Sequence, residues 1–73
     1  QRRWAEAQAA FFKAYSLDSN NPDFAFNLAV SLDQLHQSKP ALTYYQRALT
    51  LASAQNASFD KTQVSNRIAE LSR

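Results

Sequence analysis

The sequence contains no glycine and no cysteine, only two prolines and one histidine, and no apolar run approaching ~20 residues. Each absence excludes something. Without glycine there is no phosphate-cradling loop of the Walker or dinucleotide type, and tight two-residue hairpins are disfavoured. Without cysteine, and with histidine only at 36, neither a disulfide nor a structural zinc can staple the chain. The absence of cysteine fits cytosol and periplasm alike. No segment is long and apolar enough to span a bilayer, and none has the charged start and apolar core of a signal peptide. The expectation is a soluble chain, cytoplasmic or periplasmic, with no membrane insertion. It does not begin with methionine, which reads as a fragment or a processed chain.

Charge of one sign is also missing. The net charge is +2, with eight basic residues scattered among six acids. No basic stripe emerges, so nucleic acid and anionic lipid are not expected partners. Arg2-Arg3 is the only basic doublet and reads as a solvated helix start. At 73 residues the chain makes one small domain or a piece of a larger one. It would bury only roughly 60% of its unfolded surface, so its stability is marginal.

What is present is helical periodicity. Trp4, Ala7, Ala10, Phe11, Ala14 and Leu17 recur at three- and four-residue steps, predicting a helix over about 2–18. "DSNNP" stops it, and Asn21 with Pro22 forms an N-cap and first-turn pair for a second helix over about 22–36. That helix carries Ala25, Leu28, Ala29, Leu32 and Leu35 on one face. Ser38 is the expected cap of a third helix over about 39–53, which buries Ala41, Leu42, Tyr45, Ala48, Leu49 and Leu51. Ser58 is the expected cap of a fourth, over about 58–72, with Val64, Ile68 and Leu71 on one face.

These helices repeat. "AQAAFFKAYSL" (7–17) and "ALTYYQRALTL" (41–51) align at a spacing of 34, pairing Ala7 with Ala41, Phe11 with Tyr45, Ala14 with Ala48 and Leu17 with Leu51. The second and fourth helices align at 36, pairing Leu28 with Val64, Ala29 with Ser65, Leu32 with Ile68 and Leu35 with Leu71. Two interleaved helix types are each present twice, with two extra residues in the last loop.

A helix-turn-helix unit of this length is the tetratricopeptide period. The stretch "FNLAVSLDQLHQSKPALTYYQRALTL" (26–51) resembles that family. Leu28-Ala29 stands at its leucine–glycine pair, Leu32 at its tyrosine, and Ala41, Tyr45 and Ala48 at the alanine, aromatic and alanine of its second helix. Residues 4–22 resemble the second helix of a preceding repeat and its linker, and the last helix the first of a following repeat or a cap. The departures are Ala25 for the early tryptophan, Ala29 for glycine, His36 where the turn often uses glycine, and Ser53 for the closing proline.

The resemblance implies an all-α fold of antiparallel hairpins stacked as a short right-handed superhelix of about four helices, with 22–55 as one complete repeat. It also implies a protein-interaction scaffold that receives a partner peptide or helix in a concave groove. The groove positions it assigns are Asp23, Phe26, Asn27, Val30, Asp33 and Gln34, with Thr62, Gln63, Asn66 and Glu70 at comparable positions in the last helix. Asn27 can donate to and accept from a peptide backbone at once, or can simply satisfy a helix–helix contact. The family's carboxylate-gripping lysines and arginines are not in place beside it.

The alternative is a structural segment of a larger repeat protein, such as an envelope, pilus or secretion assembly factor, with no ligand of its own. The first helix lacks its usual hairpin partner, leaving Trp4, Phe11 and Phe12 as a face for stacking or homo-oligomerisation. Upstream repeats in an intact protein or a second copy would cover it, and the 73-residue chain is expected to self-associate. No enzyme activity, cofactor or metal is expected. His36 reads as a turn residue, and Asp18, Asp23 and Asp33 make no i, i+3 or i+4 carboxylate pair.

Overall fold

Among the described residues four α-helices account for the regular structure, and their faces follow the apolar periodicity. The computed structural model describes residues 2–54 and 57–72. Residue 55, the expected end of the complete repeat, lies outside them. The helices are α1 (Arg2–Leu17), α2 (Pro22–Gln34), α3 (Ser38–Ala52) and α4 (Lys61–Leu71). Each packs on the next in chain order, and the short connections make neighbours antiparallel. The Cα envelope is a slab of 32 × 31 × 16 Å, about two helix layers thick. No strand occurs among the described residues.

The start of α2 follows the expectation. Asn21 adopts φ −88°, ψ 113°, and its Oδ1 accepts from the Asp23 and Phe24 amides at 2.9 and 3.3 Å. Pro22 takes the first helical position, where no N–H is needed. The helix then closes two residues before its expected end. Leu35 is the C-cap and His36 enters the left-handed region at φ 62°. The His36 amide donates to the Asp33 carbonyl (3.0 Å) and the Gln37 amide to the Leu32 carbonyl (2.9 Å), a Schellman closure. Without a glycine at this turn, histidine carries a strain of roughly 1–2 kcal/mol.

Two expected caps are corrected. Helix α3 begins at Ser38 itself, with Gln37 at the N-cap and no side-chain cap bond, because the His36 closure leaves Gln37 at the junction. Helix α4 begins at Lys61 rather than 58, and its cap is Asp60, whose Oδ1 accepts from the Thr62 and Gln63 amides at 2.8 and 3.4 Å. A carboxylate at the positive end of a helix is favoured electrostatically. Ser58 is drawn elsewhere: its amide and hydroxyl both donate to Asp23 Oδ1, at 2.9 and 2.8 Å.

The main core joins Leu28, Ala29 and Leu32 of α2 with Ala41 and Tyr45 of α3 and Val64 of α4. A smaller cluster joins Ala25 with Ala48 and Leu51 at the other end of the α2–α3 pair. Ala29, Ala41 and Ala48 are 0% exposed, and as small side chains they let the helix axes approach closely. Leu42, Leu49, Ile68 and Leu71 are only half-buried, and Ala10 and Leu17 of the first stripe are exposed.

Candidate functional site: the cleft between α2 and α4

Helices α2 and α4 both lean on α3, and a cleft opens between them. Its lining is Phe26 and Val30 from α2, Tyr45 from α3, and Gln63, Val64 and Arg67 from α4, around an open volume of ≈ 180 Å³. Phe26 packs against two other rings. Its ring stacks on Phe59 at 4.7 Å between centroids and 19° between planes, and tilts against Tyr45 at 6.2 Å. Val64 is 2% exposed and closes the cleft below.

One end of the cleft is closed by a polar cluster. Arg67 Nε and Nη2 donate to Asp33 Oδ2 and Oδ1 at 2.7 and 2.6 Å, a bidentate fork. Tyr45 Oη donates to Asp33 Oδ2 at 3.0 Å. Arg67 Nη1 also donates to Glu70 Oε1 at 2.9 Å. The Asp33 side chain is 11% exposed against 42% for Arg67, so the ion pair is half-shielded from water. The guanidinium holds the Asp33 carboxyl below its ordinary 3.8, overcoming the opposing effect of burial. Burial, and then the Asp33 carboxylate, push the Tyr45 phenol well above its ordinary 10.0.

The residues assigned to the groove therefore separate by what they touch. Phe26, Val30 and Gln63 converge on the cleft. Asp33 faces it but is occupied by Arg67 and Tyr45, and Asp23 is occupied by Ser58. Asn27 is half-buried one residue along from Phe26, and no hydrogen bond links its side chain to another described residue. Gln34, Thr62 and Asn66 are exposed, as is Glu70.

Tyr45, Phe59, Val64 and Arg67 were not among the expected groove residues. The first and third were assigned to core. The one local signal for Arg67 is its three-residue spacing from Glu70 on the same helix. Phe59 lies in the last loop, outside any periodic pattern.

Of the expected stacking face, Phe12 is 49% exposed, while Trp4 and Phe11 are half-buried and Phe11 packs against the core. Tyr15, adjoining that face, meets Tyr44 of α3 edge-on at 5.3 Å. Among the described residues no helix is long and apolar enough to cross a membrane, and no group of three or more acids or histidines could hold a metal ion.

Comparison with protein-family models, with curated proteins and with solved structures found no match to this chain.

Proposed function

We propose that the chain is a tetratricopeptide-type helical segment that binds a protein partner, seating one apolar side chain of a peptide or helix between α2 and α4. The observation that carries this reading is the cleft itself, apolar in its walls and open to solvent. Its ≈ 180 Å³ is below the ~300–1,000 Å³ of small-molecule sites, and suits a side chain rather than a metabolite. The Phe26–Phe59 stack supplies an aromatic anchor of the kind that dominates interface energetics. Asn27 is free to bond a partner backbone through both its amide groups.

The same site does not favour catalysis. A general base works best with a pKa near ambient pH, and the Asp33 carboxyl is shifted the opposite way. His36 is exposed in a turn.

The test is capture of a partner from source-cell lysate by the 73-residue chain, beside Asn27→Ala and Val30→Arg. Val30→Arg fills the cleft while leaving the Phe26–Phe59 stack intact, so it separates binding from folding better than Phe26→Ala. A partner held by the parent and lost by both helical variants supports the reading. Equal retention contradicts it.

A second reading, a stacking or oligomerising segment, is favoured by the exposed apolar residues of α1, above all Leu17 at 80%.

A further inference from the structure

The cleft between α2 and α4 differs from the exposed flank of α1 in being finished as a piece of fold. Tyr45 and Val64 on its floor are 4% and 2% exposed. Among the described residues no buried side-chain nitrogen or oxygen lacks a hydrogen-bond partner. No further segment is needed to bury its apolar floor or to satisfy its polar groups. What lies open is a strip of surface, and the donors along that strip define what can occupy it.

Arg67 and Gln63 supply those donors from the α4 wall. A guanidinium carries five N–H groups. Arg67 commits three of them, two to Asp33 and one to Glu70, which leaves one on Nη1 and one on Nη2. Its side chain is 42% exposed. Gln63 is exposed, and no hydrogen bond links its side-chain amide to another described residue.

The charge around Arg67 selects the acceptor. One cation stands between the carboxylates of Asp33 and Glu70, so the cluster as a whole is negative. A carboxylate or phosphate arriving there is repelled, whereas a neutral carbonyl is not. In the apolar part of the cleft, between Phe26, Val30 and Val64, a charged side chain would lose its hydration without gaining a partner.

Spacing selects the ligand's backbone. Gln63 and Arg67 are four residues apart and share one face of α4, about 6 Å apart along its axis. In an extended peptide, carbonyls two residues apart point to the same side and are separated by about 6.5 Å. The side chain of the residue between them points the opposite way from its two neighbours. A helical ligand matches neither feature, because its carbonyls are spent on its own amides.

We infer that the cleft reads an extended peptide of a partner protein, in which one uncharged apolar side chain enters between Phe26, Val30 and Val64 while the carbonyls on either side of it accept from Gln63 and Arg67. This rests on the reading of the cleft as a partner site and deepens it by choosing a strand over a helix and a neutral acceptor over a carboxylate.

The test is selection from a phage-displayed library of random nine-residue peptides on the 73-residue chain, with sequences that also bind Val30→Arg discarded. Selected sequences are then titrated calorimetrically as synthetic peptides with acetyl and amide ends. The expected sequences share one uncharged apolar position. Proline directly after that position bars the α conformation at the anchor and keeps binding. Replacing the amide of either flanking carbonyl by an ester weakens that acceptor and raises Kd roughly three- to tenfold. Gln63→Glu removes a donor and is expected to weaken binding by about tenfold. It stands at the third position of α4, where a glutamate is favoured, so the helix persists. Arg67 is left intact because it also holds Asp33.

Binding that is lost with proline and unaffected by Gln63→Glu overturns the extended register and leaves the cleft as a partner site. A peptide that binds more than tenfold tighter with a free C-terminal carboxylate placed next to the anchor overturns the neutral acceptor. A library that yields no sequence held by the wild type and lost on Val30→Arg overturns both this inference and the reading on which it rests.

Discussion

Asp33 makes more side-chain bonds between helices than any other described residue, accepting from Tyr45 of α3 and twice from Arg67 of α4. Replacing Asp33 by asparagine removes the charge and sets an NH2 donor where one of the fork's two acceptor oxygens stood. Asp33→Asn should therefore cost about 1.5–3 kcal/mol in urea unfolding, the range for hydrogen bonds to charged groups. In a double-mutant cycle with Arg67→Gln, the coupling should fall near ~1 kcal/mol, because Arg67 is 42% exposed and water screens the pair. The pH dependence has a definite sign. The folded Asp33 pKa lies below the ordinary 3.8, so the pair's stabilisation is complete above that value and is lost as pH falls through the lower folded pKa. Acid titration of the unfolding free energy should show this loss in the wild type and lack it in Asp33→Asn.

His36 offers the opposite change. Glycine relieves about 1–2 kcal/mol of left-handed strain but adds about 0.4–1 kcal/mol of unfolded-state entropy. His36→Gly should stabilise by roughly 0.5 kcal/mol, read as a higher urea midpoint with an unchanged slope.

At the scale of the helices, the caps decide where each element starts. Asp60→Ala should destabilise by about 1 kcal/mol, as should Asn21→Ala, since each removes an oxygen serving two amides. Ser58→Ala should cost less, because it loses one exposed hydroxyl bond and keeps the amide bond to Asp23. Thermal melts of the three variants check this order, and a Ser58 effect larger than that of Asp60 would contradict the observed start of α4.

These caps also mark how far the sequence could be read. Asn21-Pro22 combines two local signals and was legible. Ser58 and Asp60 are both good caps, and the choice between them depends on Asp23, 35 residues away. Buried positions in α2 followed from periodicity, since Ala25, Leu28, Ala29 and Leu32 all face a partner. In α1 the same periodicity placed Leu17 on the stripe, yet it is exposed, because a stripe records what a helix can bury and not whether its mate is present. The Asp33–Arg67 fork was illegible for a related reason. It requires the relative rotation of two helices that touch through side chains alone.

The molecule as a whole is a thin slab with a shallow core, so few of its apolar groups are far from an edge. Its cleft exists because α2 and α4 lean on a common helix and leave a gap that Phe26, Phe59 and Val64 only partly fill. The expected groove converges there in part: Phe26, Val30 and Gln63 line the gap, while Asp23 and Asp33 are committed to holding the helices and loop that frame it. Binding at this gap should thus depend on the neutral residues and change little with salt, since no unpaired acid lines it among the described residues.

The most direct measurement is photocrosslinking in source-cell lysate with a benzophenone amino acid placed at Val30 in the cleft, and separately at the exposed Gln46 of α3. The account predicts a discrete adduct from position 30, abolished by Asn27→Ala, and none from position 46. The same adducts from both positions, or an adduct only from position 46, would contradict a partner site between α2 and α4.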